Sequence, residues 1–415
     1  MRINRNILFI SYDGMTDPLG QSQVIPYLIG LTRHGFKFTI LSCDKPGRYR
    51  KYRDSILQLL EPYPIKWVAI PYHKKPSVFS SIYDVMMLRH RAKRLHEKEK
   101  FDMVHTRAGI PALIGLWMKK ELGVKFLHDM REFYADSRIE GGMWNSNNFF
   151  YKRIYNFFKK KEEEEVEKSD GIVCLTYAAE KIIKQWPQFK IQTPLEVIPC
   201  SVDLNLFDPG KIKGEIKNEV KKKLDIKEND FIISYLGSIG GWYLTDEMMK
   251  FCKKISEKNT NAKFLFITPH QHNTIFETAG RFGISREKII VTHAQRNEVP
   301  LLLSLSKFSV FFIKPCYSKK SSSPTKHGEI MAMGIPVITN SGVGDVSEIV
   351  KKYHSGIVLD DLNEEQFQLV AESISLQSSA INLSNPTEIR NGAKQYYDLE
   401  SAVEKYRRIY DAILL

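Results

Sequence analysis

The chain has 415 residues and a mass of 48.1 kDa, long for one domain at a prior of about 150 residues each, and its 43% hydrophobic content is ample for buried cores. No run of about 18 apolar residues is present, which excludes a spanning helix, and the N-terminal NILFISY is too short for a signal-peptide core, so a cytoplasmic protein is expected. A net charge of +13 points to anionic partners (nucleic acid, anionic lipid or a phosphorylated small molecule), while five scattered cysteines without a CxxC pair argue against a disulfide framework or a zinc site.

In chain order, short apolar runs alternate with longer helical stretches, first as NILFIS (6–11), KFTILS (37–42), KWVAI (66–70), DMVHT (102–106), VKFLH (124–128) and GIVCLT (171–176). After the loop around SVDLNLFDPG (201–210) the alternation repeats as FIISYLG (231–237), AKFLFIT (262–268), KIIVT (288–292), FSVFFI (308–313), PVIT (336–339) and GIVL (356–359). Apolar strands separated by helices indicate parallel sheets covered on both faces. Two such series predict two doubly wound, Rossmann-like α/β domains facing a cleft. The expected division is residues 1–205 and 206–395, with the amphipathic segment 396–415 returning to the first domain.

In the first half, Asp13 to Gln23 follows the first strand. There Gly14 and Gly20, with Asp13 and Gln21, would let backbone approach a bound ligand, the alternative being a plain strand-to-helix loop. FLHDMREFYADSR (126–138) sets His128 at a strand end, followed by Asp129, Arg131 and Asp136; a lone histidine of this kind is more often structural than catalytic. His105 is a weaker candidate by the same logic. Basic residues concentrate in 33–53, with seven against the single acid Asp44, and in FFYKRIYNFFKKK (149–161), with five against none. That second stretch sets Phe150, Ile154, Phe157 and Phe158 on one helical face beside Lys152, Lys159 and Lys160. It reads either as core with a solvated rim or as an interfacial helix on anionic lipid, where each basic residue adds on the order of 1 kcal/mol. The glutamates at 162–165 are expected to continue a solvated helix.

SSSPTKHGEIMAMGIPVITN (321–340) has a helix's punctuation and one charge out of place. Ser323 can cap, Pro324 suits the first position, Gly334 the left-handed exit and Pro336 the stop. Lys326 stands in a first turn, where free N–H groups and the dipole usually recruit an acid. The stretch follows a strand at the end where doubly wound sheets bind ligands. A helix start with a lysine suits a phosphate there, and Glu329, three residues on, suits a ribose diol. The alternative is that Lys326 and Glu329 pair with each other on a helix surface, worth roughly 0.2–0.5 kcal/mol.

PTKHGEIMAMGIPVI (324–338) resembles the donor-binding motif of retaining glycosyltransferases of the two-Rossmann-domain (GT-B) type, in particular family 4, whose pattern ends in Glu, then Ala-Met-Ala-x-Gly-x-Pro-Val. VIPCSVDLNLF (197–207) is similar to that group's interdomain segment, GDVSEIV (344–350) to its Gly-x-Pro-Glu-Ile-Val stretch, and YDGMTDPLGQSQVIPYLIGL (12–31) to its N-terminal glycine loop and helix.

The resemblance implies transfer of a hexosyl or N-acetylhexosaminyl group, with retention, from a UDP- or GDP-linked sugar to a glycan or lipid-linked acceptor in surface-polysaccharide or lipid-linked glycan assembly. It implies no metal and no cofactor, and a place in the cytoplasm, peripheral on the inner face of the membrane. Carried over by position, Glu329 holds the ribose. Ser323, Thr325 and Lys326 lie beside the diphosphate and sugar, Gly237 and Ser238 form the sister loop, and His128 contacts the donor sugar. Arg131 would meet the diphosphate or an anionic acceptor, and Asp129 would serve as acceptor base or loop-fixing side chain. Two departures matter: Ser321 replaces a second glutamate, and Ser238 and Leu244 replace the usual diphosphate cations. Weight therefore falls on Lys326, with Lys314, Lys319, Lys320 and Arg131 as supplements. Two other readings are a nucleotide-sugar 2-epimerase of the same fold and a basic nucleic-acid-binding protein. The latter rests on charge alone and no nucleic-acid module accompanies it, so no nucleic-acid partner is expected.

Overall fold

The protein is described by a computed structural model covering residues 5–269, 272–375 and 383–415. It divides into two compact units, one running through Ser201 and resuming at Leu399–Leu415, the other Val202–Asp398.

In the first unit, β1 (Arg5–Ser11), β2 (Phe36–Asp44), β3 (Ile65–Pro71), β4 (Met103–Arg107), β5 (Lys125–Met130), β6 (Gly171–Cys174) and β7 (Leu195–Val197) form one sheet in the order β3-β2-β1-β4-β5-β6-β7. In the second, β8 (Phe231–Leu236), β9 (Ala262–Ile267), β10 (Ile289–Thr292), β11 (Phe308–Phe311), β12 (Val337–Asn340) and β13 (Gly356–Leu359) pair as β10-β9-β8-β11-β12-β13. Every neighbouring pair is parallel. Both sheets are doubly wound, as the alternation of apolar runs predicts. In β1 the side chains divide by the strand's period of two, Ile7 and Phe9 entering one core and Leu8 and Ile10 the other. A sheet covered on both faces needs such a run, and helices supply both covers. Strand order reverses between β1 and β4 and again between β8 and β11, and these switch points open a crevice at the carboxyl ends of doubly wound strands.

The segment 396–415 is not one helix. Pro386–Tyr397, started by a capping box between Asn385 and Glu388, buries Ile389 and Tyr397 in the second unit's core. Leu399–Leu414 then places Ala402, Val403, Tyr406, Ile409, Tyr410 and Ile413 in the first unit's core. The chain therefore crosses between units twice, after Ser201 and after Asp398. The crossings run side by side, Val202 N donating to Tyr397 O at 2.7 Å.

Candidate functional site

At the second unit's switch point, the loops after β8 and β11 are stitched backbone to backbone: Leu244 N donates to Phe312 O at 3.0 Å and Lys314 N to Trp242 O at 2.9 Å. Gly237 leaves β8 at φ +109°, in the region that favours glycine. The helix Thr325–Ala332 begins one residue later than its sequence suggests. Pro324 is the extended residue at the cap position, so Ser323 stands one residue outside it; Gly334 does take the left-handed exit at φ +71°.

Lys326, only 6% exposed, reaches back to the β8 loop. Its Nζ donates to the Tyr235 hydroxyl at 3.2 Å and lies 4.3 Å from the Tyr235 ring centre and 3.7 Å from that of Tyr243. A Cβ placed on Gly237 would come within 3.2 Å of the same nitrogen. The Tyr235 hydroxyl in turn donates to the carbonyl of Ser238. Burial holds the Lys326 pKa well below the ordinary lysine value, and the charge of Glu329 only partly opposes this. Lys319 lies over the Trp242 ring at 3.7 Å. Ser321, at the position of the family's second glutamate, is buried and donates to Ser318 O at 2.7 Å.

Lys326 and Glu329 do not pair with each other. Glu329, also 6% exposed, accepts from Arg296 Nη1 at 2.7 Å through Oε1. Arg296 lies in the loop between β10 and the helix Val299–Leu303, with its guanidinium 5.3 Å from the Phe207 ring centre. The sequence reading missed it, because it stands 33 residues before Glu329 with no periodic relation to it; the signal open to a reader was its place beyond a strand's carboxyl end.

In the first unit, Arg107 Nη1 meets Asp13 Oδ2 at 2.9 Å, joining the end of β4 to the loop after β1. Gly14 and Gly20 serve that loop's own packing. A Cβ on Gly14 would lie 2.6 Å from the Asp44 carboxylate, and one on Gly20 would lie 2.3 Å from the Gly14 carbonyl. Gln21 donates to Thr16 O at 3.2 Å. A cavity of about 480 Å³ opens at the carboxyl ends of β2 and β3, lined by Asp44, Pro46, Tyr49, Arg50, Ala69, Ile70 and Pro71.

His128, 1% exposed, lies on the face of β5 beneath the helix Phe149–Lys168, its Nε2 3.9 Å from Glu165 Oε2, beyond hydrogen-bond reach. Burial pushes its pKa down to about 4, against the charge of Asp129, so the ring is neutral at physiological pH. Of the glutamates at 162–165, Glu163 and Glu164 stay partly exposed as a solvated helix requires, but the other two turn inward. Glu162 and Glu165 are 2% and 1% exposed; Lys159 and the Ala135 amide bind Glu162, while burial raises Glu165 well above the carboxylate range. Asp129 points to the opposite face of β5, where Tyr406 donates to Oδ2 at 3.0 Å, His105 Nε2 lies at 3.4 Å, and Arg131 reaches Oδ1 at 3.3 Å. Burial alone would raise its pKa, but Arg131, His105 and Arg107 together hold it well below the ordinary carboxylate value. His105 Nδ1 shares a 2.6 Å hydrogen bond with the Tyr410 hydroxyl. Asp129, His105 and Arg131 thus anchor the helix Leu399–Leu414.

Two helices carry exposed apolar faces. On Ser77–Glu99 these are Phe79, Ile82, Tyr83 and Met86; on Phe149–Lys168 they are Phe149, Phe150 and Phe157, whereas Ile154 and Phe158 turn inward. Lys152, Arg153 and Lys160 are exposed beside them. Among the described residues, no helix is long and apolar enough to cross a membrane.

Two doubly wound units, one with a buried lysine and carboxylate on the helix at its switch point, define a protein of two Rossmann-like halves. Two family models account for most of the chain: "Glycosyltransferase Family 4" matches residues 24–206 and "Glycosyl transferases group 1" residues 216–389. The chain belongs to the glycosyltransferases of this type, and its architecture is GT-B. It is 23% identical over 321 residues to the UDP-Gal:alpha-D-GlcNAc-diphosphoundecaprenol alpha-1,3-galactosyltransferase of Escherichia coli, covering 76% of this chain and 77% of that one. To the alpha-monoglucosyldiacylglycerol synthase of Streptococcus pneumoniae it is 22% identical over 36% of this chain and 32% of that one. The crystal structure of Anabaena Alr3699/HepE in complex with UDP-glucose superposes with a TM-score of 0.70 at 12% identity, covering 98% of each chain, a likeness of fold.

Proposed function

We propose that this glycosyltransferase moves a hexosyl or N-acetylhexosaminyl group from a uridine diphosphate sugar to a lipid-carried glycan acceptor, with retention, on the inner face of the cytoplasmic membrane. The observation that carries the reading is Lys326, buried against Tyr235 and Tyr243 at the switch point and, among the described residues, in no ion pair with a carboxylate. An anionic diphosphate supplies what that site lacks. As the bond from sugar to diphosphate breaks, its electron pair passes to the diphosphate oxygen, the acceptor hydroxyl oxygen bonds to the anomeric carbon on the same face, and the hydroxyl proton passes to the departing diphosphate. Lys326 and the first-turn N–H groups stabilise that growing charge without a covalent protein nucleophile. Glu329 accepts from the ribose hydroxyls, and the Gly237–Ser238 loop and Ser323 and Thr325 flank the diphosphate and sugar; His128, buried beneath Phe149–Lys168, is assigned to the interior of the first unit rather than to the donor sugar. Asp129 and Arg131 are assigned to holding the last helix. The acceptor side belongs to the first unit, whose loops beyond β1 and β4 and whose cavity beyond β2 and β3 lie at carboxyl strand ends.

The E. coli and S. pneumoniae relatives are named for a diphosphoundecaprenol and a diacylglycerol product, and HepE was crystallised with UDP-glucose, which supports a uridine donor and a lipid acceptor. Replacing Glu329 by alanine is expected to weaken UDP binding roughly tenfold or more, the loss of a charge-assisted hydrogen bond, measured by calorimetry. Unchanged affinity in that variant overturns the assignment.

A further inference from the structure

The carboxylate of Glu329 sits in a nearly closed site in the second turn of the helix Thr325–Ala332, and a buried carboxylate needs a fixed partner to stay oriented. Lys326, on the same helix, does not supply it, since its ammonium is turned to Tyr235 and Tyr243. Arg296 does, through a single 2.7 Å contact from Nη1 to Oε1. Its other nitrogens are not spent on Glu329, and Oε2 accepts no hydrogen bond among the described residues. The Phe207 ring, whose centre lies 5.3 Å from the guanidinium carbon, restricts where the guanidinium can go, while 31% side-chain exposure leaves it open to a ligand. An oriented carboxylate with one oxygen engaged and one open is what a vicinal diol requires.

We infer that Arg296 is the positioning residue of the ribose site: it fixes the Glu329 carboxylate and so sets the enzyme's preference for a nucleotide with free 2′- and 3′-hydroxyls. The inference rests on the ribose role proposed for Glu329. The opposite role is open to the same contact, because an arginine on that carboxylate could act as a latch that the nucleotide must displace. The two differ in sign.

The test is calorimetric binding to the folded full-length protein of whichever of UDP, GDP, CDP and ADP binds most tightly, and of its 2′,3′-dideoxy form, in wild type, Arg296→Lys and Arg296→Ala. Wild type is expected to bind the dideoxy form roughly tenfold or more weakly, the scale of one charge-assisted hydrogen bond. Arg296→Ala should weaken the ribonucleotide by a similar factor and bring the two affinities together, with Arg296→Lys intermediate. Should the alanine variant fail to fold, the lysine variant carries the comparison, because it keeps the charge and loses the forked geometry. A variant that binds the nucleotide more tightly shows a latch and overturns the inference. So does one that loses affinity equally for both nucleotides, which marks a merely structural role. If wild type itself does not discriminate, or binds none of the four, the ribose reading of Glu329 has failed and this inference with it; a wild type that discriminates beside variants that still do so removes Arg296 alone.

Discussion

Lys326 keeps an ammonium where water does not reach. The rings of Tyr235 and Tyr243 return up to about 2 kcal/mol each as cation–π attraction, against a burial cost of several kcal/mol for an isolated ion, so burial prevails and the folded pKa is depressed. A base whose folded pKa is lowered binds more protons unfolded than folded. The penalty on stability is therefore full below the folded pKa and fades as pH rises toward the ordinary value of 10.5. Lys326→Met keeps the stem and removes the charge. It should raise the melting temperature at neutral pH, by about 2–4 °C for each kcal/mol recovered, with the gain shrinking at alkaline pH, and it should lower turnover. Thermal melts of both proteins across that range check this, and a lower neutral-pH melting point in the variant counts against it. The sequence made Lys326 and Glu329 legible because a lysine in a first turn contradicts the helix dipole. Arg296 was not legible, since only the folded sheet brings the loop beyond β10 to the helix beyond β11.

Among the elements, apolar runs announced twelve of the thirteen strands to within one or two residues, because a strand buried on both faces leaves little room for polar residues. The missed one, β7, has three residues at a sheet edge, too few for a pattern. The break at Asp398 was also hidden, since helical spacing runs on both sides of it. What holds the last helix is a polar lock, Tyr406 on Asp129 and Tyr410 on His105. Tyr406→Phe takes one donor from a buried carboxylate and should cost about 1–3 kcal/mol in urea unfolding. The depressed pKa of Asp129 gives stability that is complete above its ordinary value near 3.8 and is lost as pH falls below it. Asp129→Asn should therefore lose stability less steeply than wild type as pH falls below about 3.8, by the share that this one carboxylate contributes; parallel acid dependence in the two proteins would contradict the lock.

For the molecule as a whole, charge and exposed aromatics coincide. Ser77–Glu99 and Phe149–Lys168 both pack on Gly109–Leu122, and each precedes a parallel strand, so their N-terminal halves share the carboxyl end of the first sheet. Phe79, Phe149 and Phe150 protrude there, and the exposed charges nearest the latter two, Lys152 and Arg153, are positive. The protein should co-sediment with vesicles containing anionic lipid but not with neutral ones, less so in high salt, and Lys152→Glu with Arg153→Glu should reduce the binding. Equal partition onto neutral vesicles would sink the electrostatic part of the idea. The basic run was plain in the sequence, but its exposure was not, because the same helix turns Ile154, Phe158, Glu162 and Glu165 inward.

The double crossing at Ser201 and Asp398 also orders events on the ribosome. All seven strands of the first sheet emerge before the second unit does, yet the face that receives Tyr406 and Tyr410 stays uncovered until Leu399–Leu414 follows. The unit begun first is completed last, and translation halted near Asp398 would release a finished second unit joined to a sheet with an open apolar face, a substrate for chaperones and proteases.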